Sequence, residues 1–320
     1  MQRYLVRRIS LFLPTIIIAS FVVFGLMRFL PGDVALVILG GDAEQEGFYE
    51  EDIENLREQL GLLDPFYVQY GKWMWSMSSG GYGGESLFTN EPIGEIIGRR
   101  MPVTLQLTFL TMTIAITISL PLGVLAALNQ DRWPDYLARI ATILGLALPN
   151  FWVALLLILS LVLFFHWSPP IIYVNSWQDP WTYIQIAIWP ALVLAWGYSS
   201  YIARITRSNM LEVLRQDYVR TAYSKGLAQN TVVWRHALRN ALIPVITLAG
   251  GYFDSLLGGT VILENIFGMP GMGQGIVQAA VVRDYPVIQS LALLLVLLAL
   301  GVNLAIDLLY VFIDPRISYT

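Results

Sequence analysis

The sequence predicts an all-α polytopic membrane protein with six transmembrane helices, and three observations carry that prediction. Of its 320 residues 56% are hydrophobic and only 13% are charged, about half the charge of a soluble domain, and mean hydropathy is +0.60. Six windows supply the ~20 apolar residues that a helix needs to cross ~30 Å of hydrocarbon: 9–30, 102–128, 138–165, 183–205, 241–264 and 287–313. Arginine and lysine gather in alternate connections, as cytoplasmic loops of membrane proteins do.

Taken in order, the first window is too long for a signal-peptide core and lacks a small-x-small cleavage pattern, so it reads as a retained anchor. Arg28, near its outer end, is expected to snorkel. Arg3, Arg7 and Arg8 precede this window, Arg132 and Arg139 flank the connection after the second, and Arg204, Arg207, Arg215, Arg220, Lys225, Arg235 and Arg239 crowd that after the fourth; Arg316 follows the last. An even number of spans puts all of them on one side, the cytoplasm, together with both termini. The opposite side receives 31–98, a helical extracytoplasmic insertion rich in acid (Glu44, Glu46, Glu50, Glu51, Asp52, Glu54, Glu58). Within it, "EEDIENLREQL" aligns Ile53, Leu56 and Leu60 on one stripe, Gly61 is placed as a C-cap, and Asp64-Pro65 can open a second helix bearing Tyr67, Tyr70, Trp73 and Trp75. "SSGGYGGES" then reads as a turn. Trp73, Trp75, Trp167, Trp177 and Trp181 sit near outer span ends, as headgroup-layer rings or as packing residues. The organisation expected is 1–30 (N-terminus and first span), 31–98 (insertion) and 99–320 (core transmembrane domain).

Composition excludes several kinds of chemistry. There is no cysteine, hence no thiolate catalysis and no cysteine-based zinc site. His166 and His236 are isolated, and neither Lys72 (before Trp73) nor Lys225 (before Gly226) has the Gly-Lys-Ser/Thr context of a P-loop. If ATP drives this protein, the nucleotide sits on a partner. A net charge of −4 argues against nucleic acid, whose phosphates call for a basic surface.

The polar stretch 206–240 between the fourth and fifth windows stands apart. In "DYVRTAYSKGLAQNTVVWRHALRNALIP" (217–244), Val219, Ala222 and Tyr223 share a helical face beside Tyr218. The small Ala222 and the stop at Gly226 imply a short helix that something approaches closely. Asn230 can cap a second helix that aligns Val233, Ala237 and Ala241, and Pro244 weakens the backbone where the fifth span begins. The segment is either a lever or an amphipathic hairpin on the lipid surface.

This stretch resembles the cytoplasmic coupling motif of ABC importer permeases, whose pattern is Glu-Ala-Ala, three residues, then Gly. Arg220-Thr221-Ala222 and Gly226 occupy those places, with a departure at the first two. "RTAYSKGL…RHALRNALIP" is close to the form of the peptide branch, the OppB/DppB-type permeases. "LREQLGLLDPFYVQYGKW" (56–73), "GGESLFTNEPIGEIIGRRMPVTLQLT" (83–108), "LALPNFWVALLL" (146–157) and "GGTVILENIFGMPGMGQGIVQAAVVRDYP" (258–286) resemble the same branch in the same order. The resemblance spans essentially the whole chain. It implies a bacterial or archaeal cell-membrane permease that pairs with a second, C-type permease, two ABC ATPases and an extracytoplasmic substrate-binding protein. ATP and Mg would be bound on the partners and no cofactor on this chain. Tyr218, Arg220, Thr221, Ala222, Tyr223, Lys225, Gly226 and His236 would form the ATPase-coupling surface. Peptides are the expected solute; nickel complexes, glutathione and oligosaccharides are carried by the same branch.

Ionisable groups inside spans are costly and point to function or to interhelical pairing. Asp254, next to Ser255, either faces the translocation path or bonds a neighbouring helix, and Asp307 shares a face with Asn303 and reads as structural. Asn150, and Thr108 with Thr104 and Thr111, are further lining candidates or helix–helix bonds. The Gly/Pro-rich stretch 265–286, with Pro270, Gly271, Gly273 and Asp284, reads as a partly re-entrant external gate or as an ordered loop. A stand-alone secondary transporter would instead show inverted repeats and broken helices at the midplane; an intramembrane enzyme lacks the raw material.

Overall fold

The computed structural model describes residues 2–29, 50–59, 61–170 and 172–313. Glu44, Glu46, Arg316 and the first half of the insertion lie outside the described residues, as do the side chains of Arg3, Arg7, Arg8, Arg28, Asp254 and Asp307. The chain is helical: α1 Gln2–Phe29, α2 Glu50–Gln59, α3 Phe66–Ser78, α4 Ile93–Leu128, α5 Trp133–Ala147, α6 Asn150–Phe165, α7 Pro180–Leu214, α8 Asp217–Ser224, a single turn α9 Gln229–Thr231, a π-helix Val232–Ala237, α10 Leu238–Gly251, α11 Phe253–Ile266, α12 Met272–Val282 and α13 Tyr285–Ile313. The described residues form two compact units, those within Gln2–Val103 with Pro270–Leu300, and those within Thr104–Met269 with the end of the last helix from Gly301. The boundaries fall inside α4 and α13.

The apolar windows become helices, with two differences of shape. Among the described residues, three helices are uninterrupted and long and apolar enough to cross a membrane: Ile93–Leu128, Pro180–Leu214 and Tyr285–Ile306. The expected span 138–165 is instead two helices, α5 and α6, meeting at 104°. Proline explains the break. Leu148, immediately before Pro149, is forced out of the helical region to φ −88°, ψ 129°, and Pro149 has no N–H with which to continue the ladder. The expected span 241–264 is also divided, into α10 and α11, with a bend of 47°. It follows Pro244 and the Gly250-Gly251 pair, the residues at which sharp kinks form. In α1 the apolar stretch is Ser10–Leu26. α7 begins at Pro180 because the Asp179 side chain accepts from the Trp181 and Thr182 amides, an N-cap.

In the unit containing the insertion, α1 and α3 are joined by aromatic rings. Phe24 packs edge-on against Phe66 and Tyr70, with centroids 5.3 and 5.6 Å away, an arrangement that ring quadrupoles favour, and lies tilted against Trp73 at 5.4 Å. Tyr70 Oη is 2.8 Å from Ser20 Oγ. Trp73 is therefore a core residue here, whereas Trp75, Trp177 and Trp181 are exposed. Gly61, with φ +65°, ends α2 as expected: its own amide and that of Leu62 donate to Glu58 and Arg57 carbonyls, the paired bonds of a Schellman motif.

Candidate functional site

The coupling stretch folds as a short helix with two unlike faces. α8 follows α7 after a break at Arg215 and Gln216. The Thr221 and Ser224 hydroxyls donate back to the carbonyls of Asp217 and Arg220, 2.9 and 3.0 Å away. The helix stops at Gly226, φ +77°, where Gly226 N–H donates to Tyr223 O and Leu227 N–H to Ala222 O. That is again a Schellman end, and it needs a residue tolerant of left-handed backbone. A Cβ on Gly226 would meet nothing within 4 Å. Within the chain its requirement is thus conformational, as the expected helix stop.

Ala222 faces inward. It is only 8% exposed and, with Val219, packs on Val232, flanked by Val213 and Leu214. Its smallness serves a contact inside the chain. The outward surface is made by Tyr218, Arg220, Thr221, Tyr223, Lys225, Gly226 and Leu227, all exposed. Tyr218 Oη accepts from Asn240 Nδ2 at 2.8 Å, and the same amide donates to the carbonyl of half-buried His236 at 3.3 Å. Trp234 is also exposed beside Arg235, an aromatic that sequence reasoning passed over because it lies on the helix after the turn. Asn230 is not a cap: the helix opens one residue earlier, with Ala228 at the N-cap and no side-chain cap bond.

The helix beyond the Gly226 turn anchors α8. Val232–Ala237 is wound as a π-helix, which accommodates one residue more than an α-helix would. Val233 and Ala237 join Ala241 as the sequence anticipated, in a cluster with Val124 and Ala127 of α4 and Met210 of α7. The exposed helix is thereby tied through Val232 and its neighbours to two long apolar helices.

Of the expected pathway residues, three have described side chains. Thr108 is buried, and its hydroxyl donates to Thr104 O at 2.7 Å. Asn150 opens α6 and Ser255 is exposed on α11. The polar cluster that does form centres on Glu264, fully buried near the end of α11, which accepts from Thr104 Oγ1 at 2.6 Å. Tyr173 lies close by, its hydroxyl buried without a hydrogen-bond partner. Burial first, then the neighbouring Tyr183 and Glu264, push this phenol's pKa up. The missed signal was an acid at the last position of an apolar window.

The expected gate residues are pinned within their own unit. Pro270 and Gly271 lead into α12, where Met272, Gly273 and Gly275 are buried. Arg100 Nη1 donates to Gly271 O at 3.1 Å and Nη2 to Gln278 Oε1 at 2.8 Å. Asp284 is buried, accepting from Ser86 Oγ at 2.5 Å and from Leu87 N–H at 3.3 Å. It acts as a latch on the loop 85–92.

Comparisons with known proteins agree with one another. Residues 119–319 match the family described as "binding-protein-dependent transport system inner membrane component", and residues 1–108 match the N-terminal component of the same systems. A dipeptide transport system permease protein of Alkalihalophilus pseudofirmus is 40% identical over 339 residues, covering 100% of both chains. A glutathione transport system permease protein of Salmonella paratyphi A is 37% identical over 319 residues with the same coverage. An inward-facing structure of the MetNI methionine ABC transporter superposes with a TM-score of 0.56 at 19% identity, covering 70% of this chain and 99% of that one.

Proposed function

The chain belongs to the family of binding-protein-dependent transport system inner membrane components, and from that membership we propose that it is one permease subunit of an ATP-driven peptide importer. It forms half of the pathway with a second, C-type permease. Two ABC ATPases, carrying ATP and Mg, dock on the arginine-rich cytoplasmic side, and an extracytoplasmic binding protein delivers solute. Both termini are cytoplasmic. This chain binds no cofactor and performs no catalysis. The observation that carries the reading is α8, whose exposed Tyr218, Arg220, Tyr223 and Lys225 leave a docking surface while Val219 and Ala222 fasten it to the core.

The mechanical logic comes from that asymmetry. Tyr218 and Tyr223 are 41% and 42% exposed, so a closing ATPase groove takes from water roughly half of the ~150–250 Å² that an aromatic side chain can bury. At ~25 cal/mol per Å², two such rings give several kcal/mol with which to hold α8 through a stroke. Displacement of α8 is passed to Val232 and into α10 and α11.

The test is reconstitution of the assembled importer with its binding protein in liposomes. Tyr223→Ala with Lys225→Glu is expected to cut ATP-driven dipeptide uptake at least ~10-fold, about the effect of losing 1.4 kcal/mol, while assembly is retained. Exposed residues are the correct targets, since Ala222→Trp would overfill an internal contact. Uptake by this chain alone, driven by an ion gradient without ATPases, would overturn the proposal. Retention of glutathione or a nickel complex by the binding protein would leave the mechanism and replace the solute.

A further inference from the structure

A cavity of about 320 Å³ lies between α4, α5 and α7, inside one compact unit. Three arginines line it, Arg139, Arg204 and Arg207, together with the apolar Leu122, Ala126 and Ile143. The floor is tight, because a Cβ on Gly123 would stand 2.6 Å from Thr206 Cβ and 2.7 Å from Ala203 O. On α5, Ile143 is 63% exposed and continues an exposed apolar face through Ile140 and Leu137.

Charge inside the cavity is unbalanced. Asp135, fully buried, takes a two-pronged pair from Arg207 at 2.6 and 2.7 Å and a longer contact from Arg139 at 3.4 Å. Arg139 also reaches Asp131 at 3.3 Å. Two carboxylates therefore serve two arginines. Arg204 makes no ion pair among the described residues and rests against the Tyr201 ring at 5.4 Å. Arg204 is exposed, so its guanidinium is open to an incoming anion, and its planar fork suits phosphate oxygens.

We propose that this cavity holds one anionic phospholipid of the cytoplasmic leaflet, its phosphate against Arg204 with Arg139 at the rim. An acyl chain follows Leu122, Ala126 and Ile143 onto the outer face of α5. The inference rests on the transport reading, which places these arginines at the cytoplasmic surface, where anionic lipids gather and basic pockets between helices take their headgroups. Charge complementarity selects a phosphate, and the apolar walls select one that carries a hydrocarbon tail.

The experiment is native mass spectrometry of the full chain in detergent, titrated with phosphatidylglycerol, with phosphatidylcholine of matched chains, and with glycerol 1-phosphate. The expected result is selective retention of phosphatidylglycerol. Arg204→Gln should weaken it roughly five-fold, the share of one basic side chain near an anionic surface, and Arg204→Lys should restore most of it. Ile143→Trp, at the exposed mouth where folding tolerates bulk, should block the tail. Equal retention of both lipids, an unaltered Arg204→Gln, or glycerol 1-phosphate binding untouched by Ile143→Trp would each overturn the site, the last by assigning it to a free phosphate. Loss of phosphatidylglycerol on assembly with the second permease would overturn it too, by showing a protein interface there. Dipeptide uptake by the same assembled preparations separates the two readings: intact uptake without lipid selectivity fails the lipid site alone, and lipid selectivity without ATP-driven uptake fails the transport reading alone.

Discussion

Two helix ends of the same type are closed by different residues. Gly226 ends α8 at φ +77° and Arg283 ends α12 at φ +58°, each followed by a residue whose amide reaches back five positions. Left-handed backbone costs a residue with a Cβ about 1–2 kcal/mol. Gly226→Ala is therefore expected to lower stability by about 1 kcal/mol with no steric clash, and Arg283→Gly to raise it by up to about the same; thermal unfolding of the two variants in one detergent checks both. Asp179 offers a pH-dependent counterpart. The Thr182 hydroxyl first, with the Thr182 and Trp181 amides, holds its carboxyl below the usual carboxylate range. Its contribution is fully present above the ordinary carboxylate pKa and is lost as pH falls through the depressed value. Asp179→Ala should lose it at every pH, read as faster hydrogen exchange at Trp181 and Thr182.

Apolar length and residue spacing located most elements, and breaks were harder to read. α7 and α13 appear where hydropathy put them, and the Asp179 cap sets the start of α7. The hinge at Leu148-Pro149 was written in the sequence as a proline, but a single apolar run on both sides hid a right-angled path. Proline inside such a run can kink a helix or end it, and only the packing of α5 and α6 decides. Ala222 was legible as a small residue and illegible as an inward one, because two faces of an eight-residue helix can be told apart only once Val232 is in place. The buried pairing of Glu264 with Thr104 joins residues 160 positions apart, a distance at which no local pattern speaks. For the π-helix, deletion of exposed Trp234 is expected to restore α-geometry at a cost of ~0.5 kcal/mol, the scale of an ordinary surface change. A deletion in tightly packed α4 should abolish assembly, and size-exclusion profiles distinguish the two.

At the scale of the molecule, orientation is the statement most open to a direct check. The chain contains no cysteine, so single substitutions report without background. Trp177→Cys, at an exposed position before α7, is expected to react with an impermeant maleimide in intact spheroplasts, and Lys225→Cys only after permeabilisation. The reverse pattern would invert the topology and remove the ATPase from reach of α8. The wide turn Val232–Ala237 has a last consequence for this arrangement. A helix holding a surplus residue has backlash: it can take up about one residue's rise, ~1.5 Å, before the rod beyond it must shift. Small jostling of the cytosolic knob would then die out locally, and only a full stroke would carry through. Spin-label distances between α8 and α4 should accordingly be broader in the intact chain than after removal of Trp234.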